Sequence, residues 1–306
     1  MTGLGGETWT ITSGPHRATI AEVGAGLRSY THEGRDVTCR YGDDELPPKG
    51  CGTTLVPWPN RIRDGRYTFD GVEQQLALTE PDKRNAIHGL GRWARWSLVE
   101  QTSDSVRLGL DIVPQKGYPF QLHAEVEYVL EYARGLVVEL SGRNDGSQRA
   151  PFGMGSHPYL SAQGASLDDV LLGVAADETF DVDDQQIPVR TRPIRDDEDF
   201  GGSSRLGARR FDQGFTSLVI EDSVPDDLYS MVHLSGAGFS SSIWFDSGFK
   251  YLQVYTVDEV SPGQPGVAFE PMTCAPNAFN SGDGLLVLEP GESWSGRWGI
   301  VAGRPL

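Results

Sequence analysis

Two short stretches hold residue types suited to moving protons. The first is Phe152-Gly153-Met154-Gly155-Ser156-His157-Pro158-Tyr159-Leu160, where one histidine stands among small residues and a proline, just after a long alternating run. Glycine and proline bend the backbone there, and a side chain at a bend can face a cleft. The second, Val267-Ala268-Phe269-Glu270-Pro271-Met272-Thr273-Cys274-Ala275-Pro276-Asn277-Ala278-Phe279, carries a lone carboxylate 113 residues beyond His157, at an apolar strand end. An imidazole with a pKa near ~6.5 gives and retakes a proton near neutrality, whereas a carboxylate must be raised from about 4.3 to be an efficient base. Phe269 and Met272 could supply the apolar surroundings that raise it. His157 is therefore the expected acid and Glu270 the expected base, on opposite sides of one pocket.

Other segments offer groups that bind hydroxyls. Pro57-Trp58-Pro59-Asn60-Arg61-Ile62-Arg63-Asp64-Gly65 presents an amide, a guanidinium and an indole on a backbone stiffened by two prolines. Asn60 and Arg61 can bond sugar hydroxyls while Trp58 covers an apolar ring face; the same pattern also suits a surface turn with a solvated arginine. His88, ahead of Trp93 and Trp96, reads equally as a structural histidine. Asp212, flanked by Phe211 and Phe215, could accept bonds from vicinal hydroxyls or stand exposed in a loop. Gln253 could point into a cleft or to water.

Several chemistries lack their motifs. Gly153-Met154-Gly155-Ser156-His157 is no nucleophile elbow, since no glycine follows two residues after the serine. No HExxH or phosphate loop is present, and no histidine has a close-spaced partner for a metal, so none is expected. With 26 Lys+Arg against 43 Asp+Glu, the net charge of −17 would repel nucleic acid and anionic membrane surfaces. Cys39, Cys51 and Cys274 have no metal-type spacing and fit free thiols in a reducing compartment. The N-terminus lacks the basic start and apolar run of a signal peptide, and no stretch approaches the ~20 apolar residues of a membrane span. A cytoplasmic protein is expected.

The elements that must position these residues are strands. Leu122, Ala124, Val126, Tyr128, Leu130 and Tyr132 alternate with His123, Glu125, Glu127 and Glu131, giving one buried face and leaving His123 on the exposed one. Val106, Leu108, Leu110 and Ile112 repeat the pattern. Tyr67-Thr68-Phe69, Asp70-Gly71 and Val72 onward read as a hairpin, because Asp-Gly tolerates positive φ. Further strands are expected over 17–23, 96–102, 136–141, 216–221, 229–235, 250–256 and 294–301. No convincing helical stripe occurs, and 38 glycines with 19 prolines interrupt the chain too often for long helices. The class is all-β. Residues 177–214, with acidic clusters at 181–184 and 196–199, read as a long excursion within one domain spanning 1–306.

Taken together, Pro57-Trp58-Pro59-Asn60-Arg61-Ile62, His88-Gly89, Gly155-Ser156-His157-Pro158-Tyr159, Phe211-Asp212, Leu252-Gln253-Val254-Tyr255-Thr256, and Glu270-Pro271-Met272 with Pro276-Asn277-Ala278-Phe279 resemble the aldose 1-epimerase (galactose mutarotase) family, in motif and order. The resemblance covers roughly residues 15–301. It implies a large antiparallel β-sandwich of the galactose mutarotase type, without a cofactor, acting on a monosaccharide as a monomer or homodimer. It also implies that His157 is the general acid and Glu270 the general base of sugar ring opening, and that Asn60, Arg61, His88, Asp212 and Gln253 hold a free hexose. The His-Pro-Tyr form is shared with hexose-6-phosphate epimerases, which are the alternative. Residues 61–95 hold seven basic groups against five acidic ones, an excess that could receive a phosphate. A non-catalytic sugar-binding sandwich would not need His157 and Glu270 together, and a glycosidase pairing Asp212 with Glu270 leaves His157 without a role.

Overall fold

The computed structural model describes residues 3–220 and 229–303. Its two largest sheets are antiparallel. A nine-stranded sheet runs in the order Ser97–Gln101, Ser105–Ile112, Leu122–Glu131, Gly135–Asn144, Ser293–Ala302, Phe239–Asp246, Tyr229–Gly236, Leu171–Val174 and Phe200–Arg205. An eight-stranded sheet runs Pro188–Pro193, Ala176–Val182, Asp212–Leu218, Tyr251–Ser261, Gln264–Met272, Gly155–Ser156 and Thr54–Leu55, with Tyr159–Ser161 also pairing Gln264–Met272. The one α-helix among the described residues is Ala278–Ser281, so no helix there could cross a membrane.

Alternation explains the sheets. Leu122–Glu131 buries every even residue and half-exposes every odd one. Its expected last member, Tyr132, falls past the strand end and is 73% exposed. His123, expected to be exposed, is half-buried between Asp111 (2.6 Å) and Glu125 (3.2 Å). Val126, Val138 and Ile300 of the larger sheet share one apolar cluster with Leu252, Val254, Val267 and Phe269 of the other. The hairpin Arg66–Phe69 and Val72–Gln75 turns on Asp70 and Gly71 at φ 50° and 77°, the pair of positive values a two-residue turn of this hand requires.

The acidic excursion is not loop. It supplies Ala176–Val182, Pro188–Pro193 and Phe200–Arg205, which extend one edge of each large sheet. Arg192 bridges Asp181 and Glu198 at 2.6 Å, so part of the acidic charge is matched locally. The strand expected at 216–221 lies at Asp212–Leu218, and residue 221 is outside the described residues.

Candidate active site

Register across the eight-stranded sheet brings the distant motifs together. Gly155 pairs with Met272 and Tyr159 with Ala268, which sets His157 opposite Glu270. On the other side of the same strand Gln253 pairs with Glu270, and Gly214 pairs with Gln253. Directly opposed residues point to the same face. Gln253 and Glu270 therefore stand side by side on neighbouring strands, with His157 beside Glu270 in the break between Gly155–Ser156 and Tyr159–Ser161, and Asp212 two residues along from Gly214 on the same face.

His157 and Glu270 do not face each other across open space, as the sequence reading expected. Their side chains touch, Nε2 3.3 Å from Oε1, and both are about as buried as core residues, at 5% and 3% exposure. The ring of Tyr159 stacks on His157 at 5.0 Å, and that of His88 meets it edge-on at 5.3 Å. Burial drives the pair's titration. It pushes His157 down to about 3, with Arg92 adding to the effect, and holds Glu270 well above the ordinary carboxylate range, with Asp212 adding to it. His157 is thus not the half-protonated group an unperturbed imidazole would be near neutrality, and Glu270 keeps its proton to higher pH than an ordinary carboxyl group. Glu270 Oε2 and His157 Nδ1 are buried without a partner in the protein, as befits atoms meant for a ligand or water.

The second wall is built from a short pairing of Arg61–Arg63 with Asn85–Ile87. Beyond it the Asn60 carbonyl accepts the His88 N–H (2.9 Å), and His88 Nδ1 accepts the Asn60 N–H (3.2 Å). That second bond fixes the tautomer: Nε2 carries the proton and is a donor. Both residues need the left-handed backbone, at φ 54° and 62°. Arg61 is held on three points, by Glu80 through Nε (2.9 Å) and Nη2 (3.0 Å) and by Asp212 through Nη2 (3.2 Å). Gln253 Nε2 donates to the other Asp212 oxygen at 2.6 Å. The carboxylate thus joins the two walls.

All seven expected site residues line one cavity of about 420 Å³, a volume suited to a small polar ligand. Sequence reasoning did not single out Lys49 and Tyr255, which also line it; Glu80, Lys83 and Arg92 entered only through the local charge count. Trp58, offered as a stacking face, lies elsewhere: it is 3% exposed, packed on Tyr118 and Phe279 in the core. Its two neighbouring prolines turn the chain so that Asn60, not the indole, reaches the cavity. One aromatic contact left to a ligand is Tyr255.

His88, His157 and Glu270 each offer an atom, and these lie within 4.8 Å of one another, near enough for a cation in principle. The His88 tautomer speaks against that use, because the Nε2 it presents holds a proton rather than a free lone pair. The same arrangement suits a neutral, hydroxyl-rich molecule. It offers donors from His88 and Arg61, and acceptors from Asp212 and Gln253, around the touching His157 and Glu270 side chains.

An antiparallel β protein with a buried histidine–carboxyl pair at the base of a small polar cavity is the class these features define. Over residues 7–300 the chain matches the aldose 1-epimerase family, and it belongs to that family. It is 36% identical to the uncharacterized YihR protein of Escherichia coli K12 over 288 residues, 94% of this chain and 90% of that protein. It is 29% identical to the aldose 1-epimerase of the same organism over 143 residues, 45% of this chain and 40% of the relative. A galactose mutarotase-like protein of Clostridium acetobutylicum superposes with a TM-score of 0.86 at 18% identity, covering 97% of this chain and 95% of that one. The GalM/aldose epimerase homologue of Caenorhabditis elegans gives 0.85 at 19%, covering 97% and 99%. The fold is that of the galactose mutarotases.

Proposed function

We propose that the protein interconverts the α and β anomers of an aldohexose by opening and closing the pyranose ring. The contact between His157 and Glu270 at the base of the cavity carries this reading. Glu270 takes the proton of the anomeric hydroxyl while His157 delivers one to the ring oxygen; the C1–O5 bond breaks and the open-chain aldehyde forms. Rotation about C1–C2 presents the other carbonyl face, and closure with both proton transfers reversed gives the other anomer. No atom is gained or lost, and the pair returns to its starting state.

The proton count suits the reaction. Opening begins with imidazolium and carboxylate and ends with neutral imidazole and carboxylic acid, and both states hold one proton between the two groups. The titration described above favours the second state in the empty site. Moving that proton across the 3.3 Å contact gives the first. The two tautomers of one pair therefore serve opening and closure. Asn60, Arg61, His88, Asp212 and Gln253 would hold the sugar hydroxyls, and the three buried free thiols suit a reducing, cytoplasmic setting.

Polarimetry on fresh α-D-glucose and α-D-galactose tests the reading. The wild type is expected to speed the approach to anomeric equilibrium, and His157→Asn and Glu270→Gln each to lose about 10²- to 10⁴-fold of that acceleration, the worth of one acid–base group. Full acceleration by either folded variant would overturn the assignment of roles.

A further inference from the structure

We infer that Gln185, a half-buried residue outside the lining of the cavity, is a positioning residue of the site: it ties the wall that carries Arg61 and His88 to the sheet that carries Asp212. The wall needs such a tie, because Arg61–Arg63 and Asn85–Ile87 form a two-stranded sheet of their own. Alternation separates its two faces. Ile62 and Ala86 point into the apolar core, while Arg61, Arg63, Asn85 and Ile87 share the opposite face. Burial fixes the core side. Asn277 fixes the backbone of Arg61–Arg63, donating its N–H to the Arg61 carbonyl (2.7 Å) and accepting the Arg63 N–H on Oδ1 (3.0 Å). The polar face is fixed by the tip of a hairpin.

That hairpin is Ala176–Val182 with Pro188–Pro193, from the acidic segment that reads as an excursion in the sequence. Its first strand pairs with Asp212–Leu218, so its base is built onto the strand that begins with Asp212. Its tip crosses to the other wall. Asp183 shapes the tip: Oδ1 accepts the N–H groups of Gln185 (2.9 Å) and Ile187 (3.1 Å), and Oδ2 accepts from the Arg63 guanidinium. Gln185 then uses both polar atoms of its side chain on the wall. Oε1 accepts from Arg63 Nη1 (2.6 Å), and Nε2 donates to the Lys83 carbonyl (3.1 Å) and to Asp64 Oδ1 (3.3 Å). The Gln185 carbonyl accepts from Asn85 Nδ2 (2.9 Å), and the same nitrogen donates to Glu80 Oε2 (3.1 Å). Asn85 is wholly buried, so its amide donors must keep their acceptors. Through that amide the tip sets Glu80, and Glu80 sets which nitrogens of Arg61 are taken. With Nε held by Glu80 and Nη2 by Glu80 and Asp212, Nη1 is left to a ligand. Freed of the tip, Glu80 and Arg61 would pair in several ways and the guanidinium would lose its fixed orientation.

Hydrogen exchange and kinetics test this on separate grounds. The Arg61 Nε–H, assigned in NMR spectra by its loss in Arg61→Lys, is expected to exchange slowly with water in the wild type. In Gln185→Ala it should exchange about 10-fold faster, the worth of one charge-assisted hydrogen bond, while the main-chain amides of Tyr251–Ser261 stay as protected as before. Gln185→Glu keeps the size of the side chain but sets a carboxylate against Asp64 and the Lys83 carbonyl. It should act in the same direction, which separates lost bonds from lost volume. Arg190→Gln is the control, since Arg190 pairs with Asp181 inside the hairpin (2.6 Å), and it should leave exchange at Arg61 unchanged. Only the kinetic arm rests on the ring-opening reading. On the anomers of galactose or glucose, Gln185→Ala should raise KM by about 10-fold and hold kcat within about 2-fold, because His157 and Glu270 are held by other segments. Unchanged Arg61 exchange in folded Gln185→Ala, an equal effect from Arg190→Gln, or a loss confined to kcat would overturn the inference. Faster Arg61 exchange in the variant, with no anomer exchange by the wild type, would keep it and overturn the ring-opening reading.

Discussion

At the scale of single residues, burial has set His157 and Glu270 against their ordinary chemistry, and stability should record it. Glu270 titrates above its usual 4.5 in the folded state, so folding takes up a proton and this group's contribution falls as pH rises through that interval. Glu270→Gln removes the effect. The variant should therefore be more stable than the wild type at pH ~8, by about 1.4 kcal/mol for each pH unit between the two titrations that lies below the working pH, and gain little at pH ~4. His157 has the opposite sign. Its folded pKa of about 3 lies below the usual 6.5, so its contribution is present above 6.5 and lost as pH falls toward 3. His157→Asn should lose less stability than the wild type over that acid range. Urea unfolding of the three proteins at several pH values checks both, and a pH-independent gap for either variant would contradict its sign. The sequence could nominate these two residues from type and setting. It could not show their contact, because the strand pairing that opposes them is a long-range fact. Arg61 was legible as a cation, whereas the three-point hold on it needs Glu80, an unremarkable carboxylate before a proline.

At the scale of elements, the site depends on a few places where the backbone leaves regular strand. Gly89 follows His88 at φ 71°, and a methyl group there would stand 2.1 Å from the Val56 carbonyl oxygen, which already accepts the N–H groups of Leu90 and Gly91 at 2.7 and 2.9 Å. Gly89→Ala should cost about 1–3 kcal/mol for the left-handed backbone alone and displace His88, weakening ligand binding. Gly34, at φ 77° with open space around it, is the control: Gly34→Ala carries backbone strain but should leave binding intact. Melting temperature with calorimetric titration separates the two, and equal binding by both variants would remove Gly89 from the positioning of His88. Long alternating strands such as Leu122–Glu131 were readable because one face is buried and the period is two. The two- and three-residue pieces Thr54–Leu55, Gly155–Ser156 and Asn85–Ile87 were not, since a period cannot be seen in so few residues. Two of these short pieces lead directly into site histidines, Gly155–Ser156 into His157 and Asn85–Ile87 into His88. Phe200–Arg205 escaped for another reason: its Gly-Gly-Ser-Ser composition reads as loop, and only pairing with Leu171–Val174 makes it a strand.

At the scale of the whole molecule, charge is distributed against function in an ordered way. The acidic excess of −17 covers the exterior, while the cavity gathers cations. The exterior carries ion pairs, among them Arg149 with Asp70 and Arg210 with both Asp168 and Asp258, but exposed pairs of this kind contribute only about 0–1 kcal/mol each and weaken as salt rises. The unmatched negative charges repel one another across the surface, and that repulsion is screened by the same salt: the Debye length falls from about 30 Å at 0.01 M to about 8 Å at 0.15 M. The two effects oppose each other, and their relative range decides the sign. Contacts at 3 Å lie well inside either screening length, whereas charges spread over the surface of a 33.4 kDa protein are separated by distances between the two lengths. Salt should therefore relieve more repulsion than it removes attraction. The melting temperature is expected to rise between 0.01 and 0.15 M sodium chloride at pH ~7.5, and to rise less at pH ~5, where part of the acidic excess is protonated. Scanning calorimetry at the four conditions checks this. A melting temperature that falls with salt at pH ~7.5 would mean that the surface ion pairs, rather than the net charge, govern the electrostatic stability of the fold.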